Sequence, residues 1–221
     1  MNDLKQSEHK LLPIFLNLSQ RDVLLVGAGV KARERLLQLV PSGARITVIA
    51  PESRPETQAL IDEALRHEST QIRLIQRDVD VSADVVSGYT LVIAATNHRE
   101  VNAAVIAQAR ALNILANSVD EPEQCDFYSA AVIDRGPIRV AISSEGRFPG
   151  FCTALRKTLE TVLDDSHGES IEQLAALRDR FKREYADPQA RNRILKAIAA
   201  DVEARYFGLE KPDFEKVKTR V

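Results

Sequence analysis

Residues 22–50, DVLLVGAGVKARERLLQLVPSGARITVIA, decide the fold. Asp22 to Val26, DVLLV, is a short, continuous apolar run closed by Gly27, the mark of a buried strand. Val30 to Val40 then carries apolar residues at helical spacing through Leu36, Leu37 and Val40. After the break at Gly43, Ile46 to Ala50 is a second β-branched run, ended by Pro51, which cannot continue a central strand. Strand, tight turn, helix and strand make a βαβ unit of about thirty residues. Its turn reads Gly27, Ala28, Gly29, Val30, Lys31, Ala32, a GxGxxA. Gly27 permits the tight turn, Gly29 lets the backbone approach a pyrophosphate, and Ala32 is small enough for helix to pack on strand. The first helical residues, Val30 and Lys31, present the helix N-terminus to the phosphates. Because strand, helix and second strand stand in register around it, the turn predicts dinucleotide binding over a merely structural glycine pair.

Working outward, Pro55 to His67 reads as helix, Ile72 to Ile75 and Thr90 to Ala94 as extended, Val101 to Leu112 as helix and Ile114 to Ala116 as extended. That alternation predicts an α/β fold with a Rossmann-like, doubly wound parallel sheet. Beyond Asp120 the grammar changes: AAVID and IRVAIS flank Arg135, Gly136 and Pro137 as a hairpin outside the repeat. From Phe151 onward helical periods dominate, with Ile171, Leu174, Leu177, Phe181 and Tyr185 on one stripe and Ile194, Ile198, Val202 and Tyr206 on another. The expected division is a dinucleotide-binding domain over 1–128, a hairpin-containing region over 129–164 and a helical domain over 165–221.

The 221 residues are 44% hydrophobic and 28% charged, the balance of a globular chain. Thirty basic against thirty-two acidic residues give a net charge of -2, so no global positive field gathers nucleic acid or an anionic membrane surface. No run approaches the eighteen or so apolar residues of a membrane span, and the polar start MNDLKQSEHK leads into no apolar signal core, which makes the cytoplasm the expected address. Two cysteines without CxxC spacing argue against a zinc site or a disulfide framework. With no tryptophan and 5% aromatics, the core is expected to be aliphatic.

Candidate site residues cluster where strands end. After the second strand come Pro51, Glu52, Ser53 and Arg54; Glu52 suits the ribose hydroxyls of NAD and Arg54 a 2′-phosphate, with NAD the preferred reading. Thr96 and Asn97, after the fourth strand, either line the nicotinamide side or cap the next helix. His98 has no second histidine nearby and reads as a surface group. Asp120, in NSVD after the fifth strand, stands at the same sheet edge as the glycine turn; partly shielded from water, such a carboxylate suits a general base, although turn stabilisation is the commoner fate of a loop aspartate. Ser144 and Gly146 lie in a polar loop before a helix, and Arg135, Arg139 and Arg147 are near enough in sequence to meet substrate carboxylates, or to be plain surface charges.

These segments together resemble the precorrin-2 dehydrogenase / sirohydrochlorin ferrochelatase family, the stand-alone form of the N-terminal part of siroheme synthase. The resemblance rests on LPIFLNL at 12–18, VGAGVKARER at 26–35, GARITVIAPE at 43–52, AATN with the following Val101 and Asn102, NSVD at 117–120 and VIDRGPIRVAISSEG at 132–146. It implies NAD-dependent oxidation of precorrin-2 to sirohydrochlorin and, in some members, insertion of ferrous iron to give siroheme. It also implies that Asp120 is the general base in both steps, that Ser144 lies near the tetrapyrrole pocket, and that the protein is an intertwined homodimer with 129–164 as its dimerisation region.

Three positions depart from the family pattern: His98 replaces an acid, Ala130 a proline, and Phe148 a serine before Pro149. The last two bear on the tetrapyrrole pocket and hence on the chelatase step. The rival expectation is a dinucleotide- or tetrapyrrole-sensing module that binds without turnover.

Overall fold

The computed structural model describes residues 10–67, 70–163, 165–184 and 187–206. Strands β1 (Asp22–Val26), β2 (Arg45–Ile49), β3 (Gln71–Ile75), β4 (Leu91–Ala94) and β5 (Leu115–Ser118) form one parallel sheet in the order β3-β2-β1-β4-β5. From Val23 to Val26 the central strand is apolar because both of its faces are covered. Val23 and Leu25 pack in the layer of Leu36 and Ile61, from helices α1 (Val30–Leu39) and α2 (Pro55–Ala64). Leu24 and Val26 pack in the layer of Val105 and Ile106, from α4 (Arg99–Ala111). Helices thus cover both faces, and the strand order reverses beside β1, which opens a crevice at the carboxyl ends of the strands.

The expected elements recur with shifted ends. α1 stops at Leu39 and gives way to a 3-10 turn over Val40–Ser42, because Pro41 offers no N–H to continue the ladder. α2 ends at Ala64, short of His67, and α4 starts at Arg99 rather than Val101. A short helix α3 (Val81–Asp84) was not legible from periodicity; the carboxylate of Asp80 nucleates it by accepting the N–H groups of Ser82 and Ala83, both at 3.1 Å.

The outer edge of β5 is closed by the segment that follows it. Asp126 accepts the Ala116 N–H at 2.9 Å and donates its own N–H to the Ala116 carbonyl at 2.8 Å. The Asn117 side chain donates to the Phe127 carbonyl at 2.8 Å, and Cys125 Sγ accepts the Ser118 N–H at 3.3 Å.

The chain divides into two compact units, one comprising 1–130 with 143–149, the other 131–142 with 150–221. The hairpin and the helical tail, separate in the sequence-based division, group together here, and the loop 143–149 joins the sheet unit. In the second unit, β6 (Ala131–Arg135) and β7 (Ile138–Ile142) pair antiparallel, followed by α5 (Pro149–Val162), α6 (Asp165–Glu184) and α7 (Pro188–Tyr206). Arg135 Nε donates to the Leu163 carbonyl at 2.8 Å and pairs with Asp165 at 3.3 Å. The first turn of α6 presses on the hairpin so closely that a Cβ on Gly168 would lie 2.5 Å from the Arg135 carbonyl oxygen. Of the helical stripes, Tyr185 and the side chains of Val202 and Tyr206 lie outside the described residues. No described helix is long and apolar enough to cross a membrane.

Candidate active site

A cleft of about 650 Å³ opens at the carboxyl ends of the strands, walled by the glycine turn, by Pro51 to Arg54 after β2, by Asp78 and Val79 after β3, and by Thr96 to His98 after β4. The two glycines differ. Gly27 sits at φ 110°, and a Cβ there would overlap the Ala95 carbonyl oxygen and come within 2.7 Å of its carbon. At Gly29 a Cβ would meet no protein atom within 4 Å, so the backbone faces open cleft. The turn is braced from β2 and α2: Gly27 N–H donates to Ile49 at 2.8 Å, Arg54 N–H to Ala28 at 3.2 Å, and the fully buried Thr57 hydroxyl to the Gly29 carbonyl at 3.4 Å.

α1 begins at this turn with no acid in its first turn and no side-chain cap. Its leading N–H groups are therefore open to an anion. A helix start without a competing carboxylate, beside a backbone concavity that one Cβ would fill, fits a dinucleotide pyrophosphate. Val30 is half exposed and Lys31 pairs with Glu34 at 3.1 Å; neither side chain lines the cleft, so what these two offer a phosphate is backbone N–H. Glu52 and Arg54 both line the cleft, as expected, and Asp78 and Val79 join them without having been anticipated. The signal for that pair was available, since they follow the third strand of the same sheet, but QRDVD carries no motif.

Thr96 does more than cap. Its Oγ1 donates to Asn102 Oδ1 at 2.7 Å and accepts the His98 N–H at 3.1 Å, while its own N–H donates to Asn102 Oδ1 at 3.1 Å. Asn102, in the first turn of α4, is 1% exposed. Its Nδ2 donates in two directions at 3.0 Å, to the Thr96 carbonyl and to Asp120 Oδ2. Beside it, Arg99 from the same helical turn makes an ion pair with Glu121. The sheet edge thus brings Asp120 within one side chain of the cleft wall. The shielding expected for Asp120 is not provided by this chain, in which the residue is exposed. The reason is that β5 ends at Ser118, so Asp120 stands past the covered part of the sheet.

The loop carrying Ser144 lies against the segment that follows Asp120. A Cβ on Gly146 would touch the Tyr128 ring at 3.4 Å and Pro122 at 3.9 Å, and the Tyr128 hydroxyl donates to the Pro122 carbonyl at 3.0 Å. Ser144 Oγ accepts the Phe148 N–H at 3.0 Å, and Arg147, largely exposed, pairs with Glu145 at 3.7 Å. Arg135 belongs to the hairpin unit and is engaged there by the Leu163 carbonyl and Asp165. Both cysteines are free, and burial pushes the Cys125 thiol up. Among the described residues no three His, Cys, Asp or Glu side chains gather as a metal site.

Comparison with known proteins agrees with this geometry. The chain is 36% identical over 181 residues to a siroheme synthase of Methylobacillus flagellatus, covering 81% of this chain and 37% of that protein. It is 37% identical over 195 residues to the siroheme synthase of Methylococcus capsulatus, covering 86% of this chain and 40% of that protein. It therefore spans well under half the length of these relatives. Among solved structures, "SirC, precorrin-2 dehydrogenase" superposes with a TM-score of 0.71 at 24% identity, over 87% of this chain and 91% of that one, and shares the fold. The siroheme synthase likeness carried by the sequence motifs is thus borne out. A family model described as "Putative NAD(P)-binding" matches residues 14–131, and the chain belongs to that family.

Proposed function

We propose that this protein oxidises precorrin-2 to sirohydrochlorin with NAD, in the cytoplasm and as a homodimer. The observation that carries the reading is the Thr96, Asn102 and Asp120 chain, which ties a carboxylate to the wall of a cleft whose glycine turn fits a pyrophosphate. Precorrin-2 is the substrate because siroheme synthases and a precorrin-2 dehydrogenase are what the chain is similar to. The oxidation removes one hydride and one proton in net terms. NAD, when bound, supplies the hydride acceptor. The chain does the rest: the α1 N-terminus and the backbone at Gly29 hold the pyrophosphate, Glu52 accepts the ribose hydroxyls, and Thr96 and Asn97 border the nicotinamide. Asp120 takes the proton, using the Oδ1 that no described donor occupies. Ser144 and Arg147 lie on the loop beside that segment, in reach of a large macrocycle with carboxylate arms. Exposed Leu12, Ile14 and Phe15 offer apolar surface to a second copy.

Iron insertion is the second activity proposed, with ferrous iron as substrate and Asp120 again receiving the pyrrole protons. The test is to supply the purified protein with precorrin-2 and NAD and to follow NADH and sirohydrochlorin absorbance. Turnover lost in Asp120→Ala with NAD binding retained supports the assignment. Absence of NADH formation by the wild type overturns it, and tight binding without turnover would favour a sensing module instead.

A further inference from the structure

We propose that Asn102 is the positioning residue of the site: it aims Asp120 by reading the conformation of the cofactor-side turn at Thr96. This rests on the reading of Asp120 as the base. Asn102 is buried to 1% exposure and every hydrogen-bonding site on its amide is used. Oδ1 accepts the N–H and the hydroxyl of Thr96, and Nδ2 gives one hydrogen to the Thr96 carbonyl and the other to Asp120 Oδ2. Only an amide has two acceptor sites and two donors on one short stem. Aspartate would keep the Thr96 acceptor but present a second carboxylate to Asp120, and alanine would supply neither function.

Asp120 is exposed, so burial does not orient its carboxylate; among the described residues the Asn102 amide is the side-chain group that hydrogen-bonds to it, with the Arg99 charge nearby. The main chain at this point is secured separately. Arg99 holds Glu121, Cys125 meets the Ser118 N–H, and Asp126 pins Ala116. Loss of Asn102 therefore frees the Asp120 side chain and leaves the segment in place. Thr96 lines the cleft while Asn102 does not, so the amide links two places that share no direct bond: the wall where the cofactor rests and the group that takes the proton.

The experiment is steady-state kinetics with precorrin-2 and NAD on wild type, Asn102→Ala, Asn102→Asp, Asp120→Ala and the Asn102→Ala/Asp120→Ala double variant, with NAD affinity measured by fluorescence titration. A bond to an ionised group supports an expected fall in kcat of about 10- to 100-fold in Asn102→Ala, with KM for precorrin-2 changed less than about threefold. Asn102→Asp is expected to fall further through charge repulsion. The double variant should be no slower than Asp120→Ala alone, since a residue acting through another adds nothing once that other is gone. Wild-type kcat in either single Asn102 variant, or losses that multiply in the double variant, overturns the proposal and leaves Asp120 as base. An active Asp120→Ala overturns the base assignment itself, and the proposal with it. If Asn102→Ala fails to fold, the near-isosteric Asn102→Asp decides by the same kcat criterion.

Discussion

Gly27 and Ala95 stand back to back, the α-carbon of one so near the carbonyl of the other that no side chain fits between the β1–α1 turn and the end of β4. Gly27 also holds a φ of 110°, which L side chains avoid. Gly27→Ala should therefore destabilise the sheet unit by on the order of 3 kcal/mol through strain and overlap. Gly29→Ala, whose new methyl meets only the open cleft, should melt like the wild type and bind NAD at least about tenfold more weakly. Thermal melts and NAD titrations of the two variants check this pair of opposite outcomes.

Thr57 is a buried hydroxyl on α2 whose task is to hold the Gly29 carbonyl. Thr57→Val keeps the volume and removes the donor. A cost of about 1 kcal/mol in urea unfolding is expected, together with a several-fold weaker NAD affinity as the turn loosens. An unchanged NAD affinity would show that the turn needs no brace from α2.

Arg77 binds both oxygens of Asp84, at 2.6 and 2.5 Å, and its hydrogen bonds hold that carboxyl below the usual carboxylate range. A depressed carboxyl contributes stability that is complete above about pH 4, the ordinary aspartate range, and that disappears as the pH falls through the lower folded value. Arg77→Gln should thus lower the melting temperature at pH 7 and differ much less from the wild type at pH 3. A gap that widens on acidification would reverse the sign and refute the assignment.

Gly168 lies within the first turns of α6, where alanine ordinarily improves a helix by up to about 1 kcal/mol. Here the added methyl would stand 2.5 Å from the Arg135 carbonyl oxygen. Gly168→Ala should instead destabilise the hairpin unit by about 1–3 kcal/mol, the usual cost of overpacking. Calorimetry of the full chain reads the sign directly.

The sheet was legible because its signal is local. β1 was bounded to the residue by Asp22 and Gly27, and β2, expected over Ile46 to Ala50, lies one residue earlier at Arg45–Ile49 between Gly43 and Pro51, since apolar runs between breakers state type and approximate extent. Helix ends were less so: α4 begins two residues before Val101 because Arg99 and Glu100 are polar and add nothing to a hydrophobic period. α3 depends on one Asp80 cap and has no periodicity to detect. Of the site, Gly27, Gly29, Pro51, Glu52, Thr96 and Asn97 could be read from motif and strand end, and all of them wall the cleft. Asn102 was visible only as a motif letter. Its importance comes from Thr96 and Asp120 meeting it from two different strand ends, a relation created by the order β1-β4-β5 rather than by any spacing in the chain.

With Asp126 and Cys125 already engaging the Ala116 and Ser118 backbone groups along the outer rim of β5, that rim has no free ladder left to extend. Two copies cannot fuse their parallel sheets into one continuous ten-stranded array across it. Association across that rim must be built from side-chain surface, not from added strand pairing.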